Sequence, residues 1–246
     1  MLYKNKTFTI SYEVYGNKNN QPVLLLPQGT GFSSSLKRLA QALSETHYVI
    51  CPDMPGVGQS MSQNADLKNI AENFKIFLEG LGISKPVIFG YSYGGSTAIY
   101  LSKIMEAKAL ILVGTGNYFR YWQKILLSLI FVPTILLGIF RKIYAHVLTQ
   151  YLGWHFHGFT DSQLKIINKR WYRSIWYRLP KYKSDIPALL LNSSNDRICS
   201  KESGVKLKEI YPNGKAILYS CGHYDYLNEL EAGNFADIKQ FLAETE

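Results

Sequence analysis

The chain is poor in cysteine. Its 246 residues include three, Cys51, Cys199 and Cys221, with no CxxC pair and no metal-ligand spacing. This excludes a disulfide framework or a zinc ribbon, and predicts buried, reduced thiols in a cytoplasmic setting. Long apolar runs are lacking too. The longest, Ile125 to Phe140, has 16 residues and is interrupted by Pro133 and Gly138; a spanning helix needs about 20. The N-terminal residues alternate in Thr7-Phe8-Thr9-Ile10 where a secretory signal would carry an apolar core, so none is expected. There is no internal repeat and no low-complexity tract. What remains, 47% hydrophobic and 18% charged residues, describes a globular chain long enough for one sizeable domain.

Acidic residues are scarce in one stretch. Residues 115–185 carry eleven Lys and Arg against Asp161 and Asp185, so the whole net charge of +9 resides there. The rest of the chain balances sixteen basic against sixteen acidic residues. All four tryptophans, Trp122, Trp154, Trp171 and Trp176, fall in the same stretch. Its ends are therefore the expected boundaries, with 1–114 and 186–246 forming one unit around it.

Short apolar runs alternate with helical patterns elsewhere. Phe8–Val14 has the period of two of a half-buried strand. Val23–Leu26, Tyr48–Cys51, Pro86–Phe89, Ala109–Val113, Ala188–Leu191 and Ala216–Tyr219 read as further strands. Continuous apolar strands point to a mostly parallel sheet covered on both faces. Helices are expected at Ser33–Leu43, with its serines as caps, at Leu67–Leu81, ending at Gly82, and at Gly94–Met105, Lys201–Ile210 and Leu230–Leu242. The alternation predicts an α/β, doubly wound architecture.

One turn carries chemistry. Gly90-Tyr91-Ser92-Tyr93-Gly94-Gly95 joins the strand ending at Phe89 to the helix that follows. A sharp strand-to-helix turn strains Ser92 and crowds its neighbours two positions either side, where Gly90 and Gly94 stand. The serine hydroxyl is thereby lifted to a helix N-terminus, which favours developing negative charge. A serine needs a base to become a nucleophile, and the base needs an orienting carboxylate. His223, in Ser220-Cys221-Gly222-His223-Tyr224, follows the last strand and is the candidate base. His47 reads as a solvated residue at a helix end, and His146, His155 and His157 as packing or solubility residues. Asp196, after the strand Ala188–Leu191, is the candidate acid. Asp185 precedes that strand, Asp225 is too near His223, and Gly114-Thr115-Gly116-Asn117 offers no acid.

At these residues the chain resembles the α/β-hydrolase superfamily, over nearly its whole length outside 115–185. Asp53-Met54-Pro55-Gly56-Val57-Gly58-Gln59-Ser60 is similar to the family's D-x-P-G-x-G-x-S turn, with Asp53 structural. Gly222-His223 looks like its C-terminal GH segment. The resemblance implies an α/β-hydrolase fold, the order Ser92, Asp196, His223, and an oxyanion hole from the N–H groups of Tyr93 and Gly29. Many members have His-Gly where Pro27-Gln28 stand here. The resemblance also implies that 115–185 is a helical cap over the site.

The implied activity is hydrolysis of a carboxylic ester or thioester through an acyl-enzyme, without metal or organic cofactor. A lactonase or a C–C bond hydrolase is a rival. An epoxide or haloalkane hydrolase would carry aspartate at position 92, and an aminopeptidase would need more acids in 115–185. A catalytically idle ligand-binding or membrane-associated protein on the same scaffold is the alternative from another class. The partners expected are a small ester or lipid-like substrate and, through the basic, tryptophan-bearing segment, the surface of an anionic membrane. No motif supports nucleic-acid binding, and no feature reports oligomeric state.

Overall fold

The chain opens with two short strands, β1 (Leu2–Lys4) and β2 (Thr9–Tyr15), that pair antiparallel. Then come β3 (Pro22–Leu26), α1 (Lys37–Leu43), β4 (Tyr48–Pro52), α2 (Leu67–Gly80), β5 (Val87–Tyr91), α3 (Tyr93–Ile104) and β6 (Ala109–Val113). Two sixteen-residue helices follow, α4 (Tyr121–Leu136) and α5 (Asp161–Trp176). The chain ends with β7 (Ala188–Ser193), α6 (Lys201–Ile210), β8 (Lys215–Tyr219), α7 (Tyr226–Ala232) and α8 (Ala236–Thr245). The structure is a computed structural model that describes residues 1–29, 31–62, 66–116, 119, 121–143, 146, 159–199 and 201–245. Trp154, His155 and His157 lie outside the described residues.

The strands form one eight-stranded sheet in the order β1-β2-β4-β3-β5-β6-β7-β8. From β4 to β8 every neighbouring pair is parallel; β2 joins β4 antiparallel. Alternation along each strand divides the core. Leu24, Leu26, Ile88 and Leu110 face α2, α3, α5 and α6. Val23, Leu25, Phe89 and Ile111 face α1, α7 and α8. Because both faces are covered, the central strands are buried at every position, and each Leu or Ile so buried stabilises by about 1.5–3 kcal/mol. This is an α/β-hydrolase fold, mostly parallel with helices on both faces.

The three-residue strand β1 is held by pairing with β2, not by a pattern of its own. Three local expectations are corrected. The helix expected over Leu230–Leu242 is two helices, because Asn234 and Phe235 take left-handed φ of 51° and 55° after Gly233. That kink buries the Phe235 ring. Ser33–Leu36 is a 3-10 turn without a side-chain cap, so the serines do not cap it. The Ser33 N–H instead donates to Asp53 Oδ1 at 2.7 Å, tying the Asp53 turn to the loop after β3. His47 is buried, not solvated, with its Nδ1 2.8 Å from Thr46 Oγ1.

The segment between β6 and β7 meets the rest of the molecule through α5 and the residues that flank it, with Tyr177 beside Tyr100 and the Tyr182 hydroxyl 3.0 Å from that of Tyr211. Leu164 and Ile167 join the core, Ile166 crowds Gly56, and Gln163 Nε2 donates to Gly58 O at 2.8 Å. Phe159 stacks near Phe32, ring centroids 5.4 Å apart. Helix α4 packs along α5.

Candidate active site

The strand β5 delivers Ser92 to the C-terminal edge of the sheet. Ser92 has φ 54° and ψ −114°, a conformation that costs a non-glycine residue on the order of 1–3 kcal/mol. It is held by the Ser92 N–H donating to Val113 O at 2.8 Å, and by the Gly95 N–H closing the turn onto Ser92 O at 3.0 Å. The flanking glycines are sterically required. A Cβ on Gly90 would lie 2.5 Å from Gly95 Cα, and one on Gly94 would lie 2.3 Å from Leu26 O. The pattern read in the sequence is thus the packing of β3, β5 and α3 against one another.

The structure brings Ser92, His223 and Asp196 together. His223 Nε2 lies 2.9 Å from Ser92 Oγ, and His223 Nδ1 lies 2.7 Å from Asp196 Oδ2. A carboxylate accepts from Nδ1–H, so Nε2 is left as the acceptor that faces the hydroxyl. Asp196 and His223 are buried, while Ser92 is partly exposed. Asp196 is fixed by its other oxygen, Oδ1, which accepts from the N–H groups of Ile198 and Cys199, both at 2.7 Å.

The two loops carrying Asp196 and His223 are stitched together. Ser193 Oγ donates to Cys221 O at 2.6 Å and accepts from Cys221 N at 2.8 Å. Asn195 Nδ2 reaches Ser220 Oγ at 3.1 Å. The Tyr91 hydroxyl donates to the carbonyl of His223 itself. Burial, foremost, pushes the phenols of Tyr91 and Tyr226 above their usual range, with the nearby Asp196 charge adding to it. They therefore stay protonated beside the carboxylate. Cys199 also has its sulfur close to Asp196 and His223, the three donor atoms within 4.8 Å of one another. Burial and then the Asp196 charge raise its thiol far above the ordinary range, and the other two residues already engage each other, so the trio reads as a hydrogen-bonded network.

Tyr93 is the first residue of α3, where backbone N–H groups lie outside the helix's own ladder. Gly29 sits against it: a Cβ there would be 3.2 Å from Tyr93 Cβ. The loop after β3 and the turn after β5 are therefore in contact beside Ser92.

One residue here was missed in the sequence. Arg170 of α5 is fully buried. Its Nη1 donates to Gly29 O at 2.5 Å and its Nη2 to Pro55 O. Its guanidinium lies 5.4 Å from the Tyr93 ring centroid, and desolvation draws its pKa downward. The available signal was its place beside Leu164 and Ile167 on the buried face of an amphipathic helix, where an arginine must find acceptors. Between α5 and the starts of α2 and α3 runs a cleft of about 520 Å³, lined by Tyr93, Tyr100, Tyr172, Trp176 and Tyr177 together with the charged Asp66, Lys68, Arg173 and Arg178. Asp53, by contrast, stays at its turn, bonded to Ser33.

Comparison with known proteins agrees with this fold. The family described as alpha/beta hydrolase fold matches residues 21–157. An uncharacterized hydrolase of Bacillus subtilis, YugF, is 25% identical over 244 residues, covering 89% of this chain and 88% of that protein. The magnesium-chelatase 30 kDa subunit of Rhodobacter capsulatus is 36% identical over 85 residues, which span 33% of this chain and only 30% of that subunit. Among solved structures, an esterase from Exiguobacterium antarcticum superposes with a TM-score of 0.76 at 17% identity, covering 95% of this chain and 96% of that one.

Proposed function

The chain belongs to the α/β-hydrolase fold family, and on that premise we propose that it hydrolyses a carboxylic ester through an acyl-enzyme formed on Ser92. The observation that carries this is the hydrogen-bonded chain Ser92–His223–Asp196, set at a strained turn between strand and helix. The structural neighbour from Exiguobacterium antarcticum, an esterase, supports the same reading.

Ser92 Oγ attacks the ester carbonyl carbon while its proton passes to His223 Nε2. The carbonyl oxygen becomes an oxyanion, held by the backbone N–H groups of Tyr93 and Gly29. Asp196 stabilises the imidazolium and keeps its tautomer. The C–O bond breaks, and His223 returns the proton to the departing alkoxide oxygen. Water then gives a proton to His223 and attacks the acyl carbon; the bond from that carbon to Ser92 Oγ breaks, His223 returns the proton to Oγ, and the acid leaves. Thioesters and lactones fit the same steps. Residues 115–185 act as the cap over a core of 1–114 and 186–246.

A fluorophosphonate probe tests the reading. Wild-type protein is expected to label at one serine, and Ser92→Ala to lose the label. The same substitution is expected to lower kcat toward p-nitrophenyl esters by on the order of 10⁶-fold, and Asp196→Asn by about 10⁴-fold. Folded wild-type protein that neither labels nor turns over any ester from short to long acyl chain overturns the proposal.

A further inference from the structure

The outward side of α4 is apolar where a helix normally turns polar. Trp122, Leu126, Leu129 and Leu136 follow one another at helical spacing on that side, with Leu129 and Leu136 68% and 72% exposed. The helical residues just beyond continue it with Ile139 and Ile143, 68% and 54% exposed. The opposite side of α4 already has its partner. Phe131 is buried with its ring 5.7 Å from Trp171 of α5, and Trp176 Nε1 donates to Ser128 Oγ at 3.1 Å. The exposed face is therefore not the one used to pack the fold. An apolar patch of this extent marks an interaction surface.

Charge says what kind. No carboxylate occurs between Glu106 and Asp161 in the sequence, so α4 itself carries no negative charge, and Asp161, which lies near its C-terminal end, is paired with Arg141. Beside α4 opens a second cleft, of about 640 Å³, lined by Lys124, Arg178, Lys181, Lys183 and Lys206 with Glu209 as its one acid. Desolvation, and then Arg178 and Lys206, draw the Lys124 pKa downward, as crowded like charges do. Tyr121 and Trp176 meet edge to face, 6.3 Å between centroids, at the border of apolar face and basic cleft, with Lys124 over the Trp176 ring. Aliphatic residues outermost, tryptophan and tyrosine at the edge and cations behind them match the layering of acyl chains, interface and phosphates at a membrane surface. Sixteen residues of helix are about 24 Å long, and among the described residues no helix is long and apolar enough to cross a membrane. A second copy docking through the same face would set one basic cleft against another.

We propose that the outward face of α4, continued to Ile143 and flanked by the Lys124–Arg178–Lys183 cleft, docks in the plane of a bilayer rich in anionic phospholipid. The face binds whatever chemistry Ser92 performs, so the proposal stands or falls apart from ester hydrolysis.

The test is cosedimentation of the full chain with vesicles of phosphatidylcholine and phosphatidylserine, against phosphatidylcholine alone. Binding is expected only to the anionic vesicles, weakening as salt is raised. Leu126→Glu combined with Leu129→Glu is expected to reduce it about tenfold or more, and Lys181→Glu with Lys183→Glu to reduce it and flatten its salt dependence. All four side chains are exposed, and an unchanged thermal melt confirms that each variant folds. Brominated acyl chains are expected to quench tryptophan fluorescence in the wild type. Wild-type protein that does not sediment with anionic vesicles, a Leu126→Glu/Leu129→Glu variant that binds like wild type, or a dimer broken by that variant would each overturn the proposal, the last assigning the face to a second copy.

Discussion

Helices α4 and α5 have the same length and come from the same segment, yet they are built inside out relative to each other. Helix α5 carries a capping box, in which Thr160 and Gln163 satisfy each other's backbone groups. It turns Leu164, Ile167 and Ile175 inward and Lys165, Lys169 and Arg173 outward. Helix α4 contains Pro133, buries only Phe131 and Thr134 among its residues, and turns its leucines outward. Its C-terminus is held from outside: Arg141 Nη1 donates to Thr134 O and Ile135 O, at 3.2 and 2.8 Å, and Asp161 at the start of α5 clamps that guanidinium. The difference teaches a division of labour. One helix fixes the segment to the site, and the other is carried on it with a face to spare.

Substitutions should separate the two helices. Ile167→Ala in α5 removes side-chain volume from a closed core and is expected to lower unfolding stability by about 2–5 kcal/mol, read by denaturant titration. Arg170→Met takes the donors away from Gly29 O and Pro55 O while also removing a desolvated cation. Its stability loss is therefore expected to be smaller than that of Ile167→Ala. Its signature is in turnover, where a displaced Gly29 loop is expected to cost about 10²-fold in kcat with KM little changed; equal turnover would show that α5 merely covers the site. Thr160→Ala breaks the capping box and is expected to cost about 1 kcal/mol. Leu129→Ser on α4 is expected to stay within about 0.5 kcal/mol, and a loss as large as that at Ile167 would show the outward face of α4 to be packed.

Acid provides a finer probe of the same pair. The Arg141 side-chain bond and charge hold the Asp161 carboxyl below its usual range. A lowered folded-state value means that the contact stabilises above the ordinary carboxylate range and is lost as the pH falls through the lowered value. Limited proteolysis is expected to cut between Leu136 and Ile143 first as the pH drops there, with α5 still protected.

How much of this was legible beforehand depended on whether a feature was local. The elbow could be read because its glycines, strand and helix are contiguous. Asp196 and His223 could be chosen because each follows a strand at the same edge of a parallel sheet. The stitches between their loops could not be read, since Ser193 and Cys221 stand 28 residues apart and serine–backbone contacts leave no pattern. Arg170 is legible only in part: its spacing from Leu164 and Ile167 marks it as inward, but its acceptors are carbonyls, which every residue has. The kink at Asn234–Phe235 was lost because the apolar period runs across it. Composition sets the basic, tryptophan-bearing segment apart, but which of its helices faces inward follows from the partners each one finds.

The three free cysteines, all buried, place built-in reporters at separate depths. Cys51 lies on β4, Cys199 donates its N–H to the Asp196 carboxylate, and Cys221 is bonded through its backbone to Ser193. A thiol reagent can reach each only when its own surroundings open. The order in which the three become modified under native conditions would therefore time the loosening of the Asp196 loop, the His223 loop and the sheet separately, in wild-type protein.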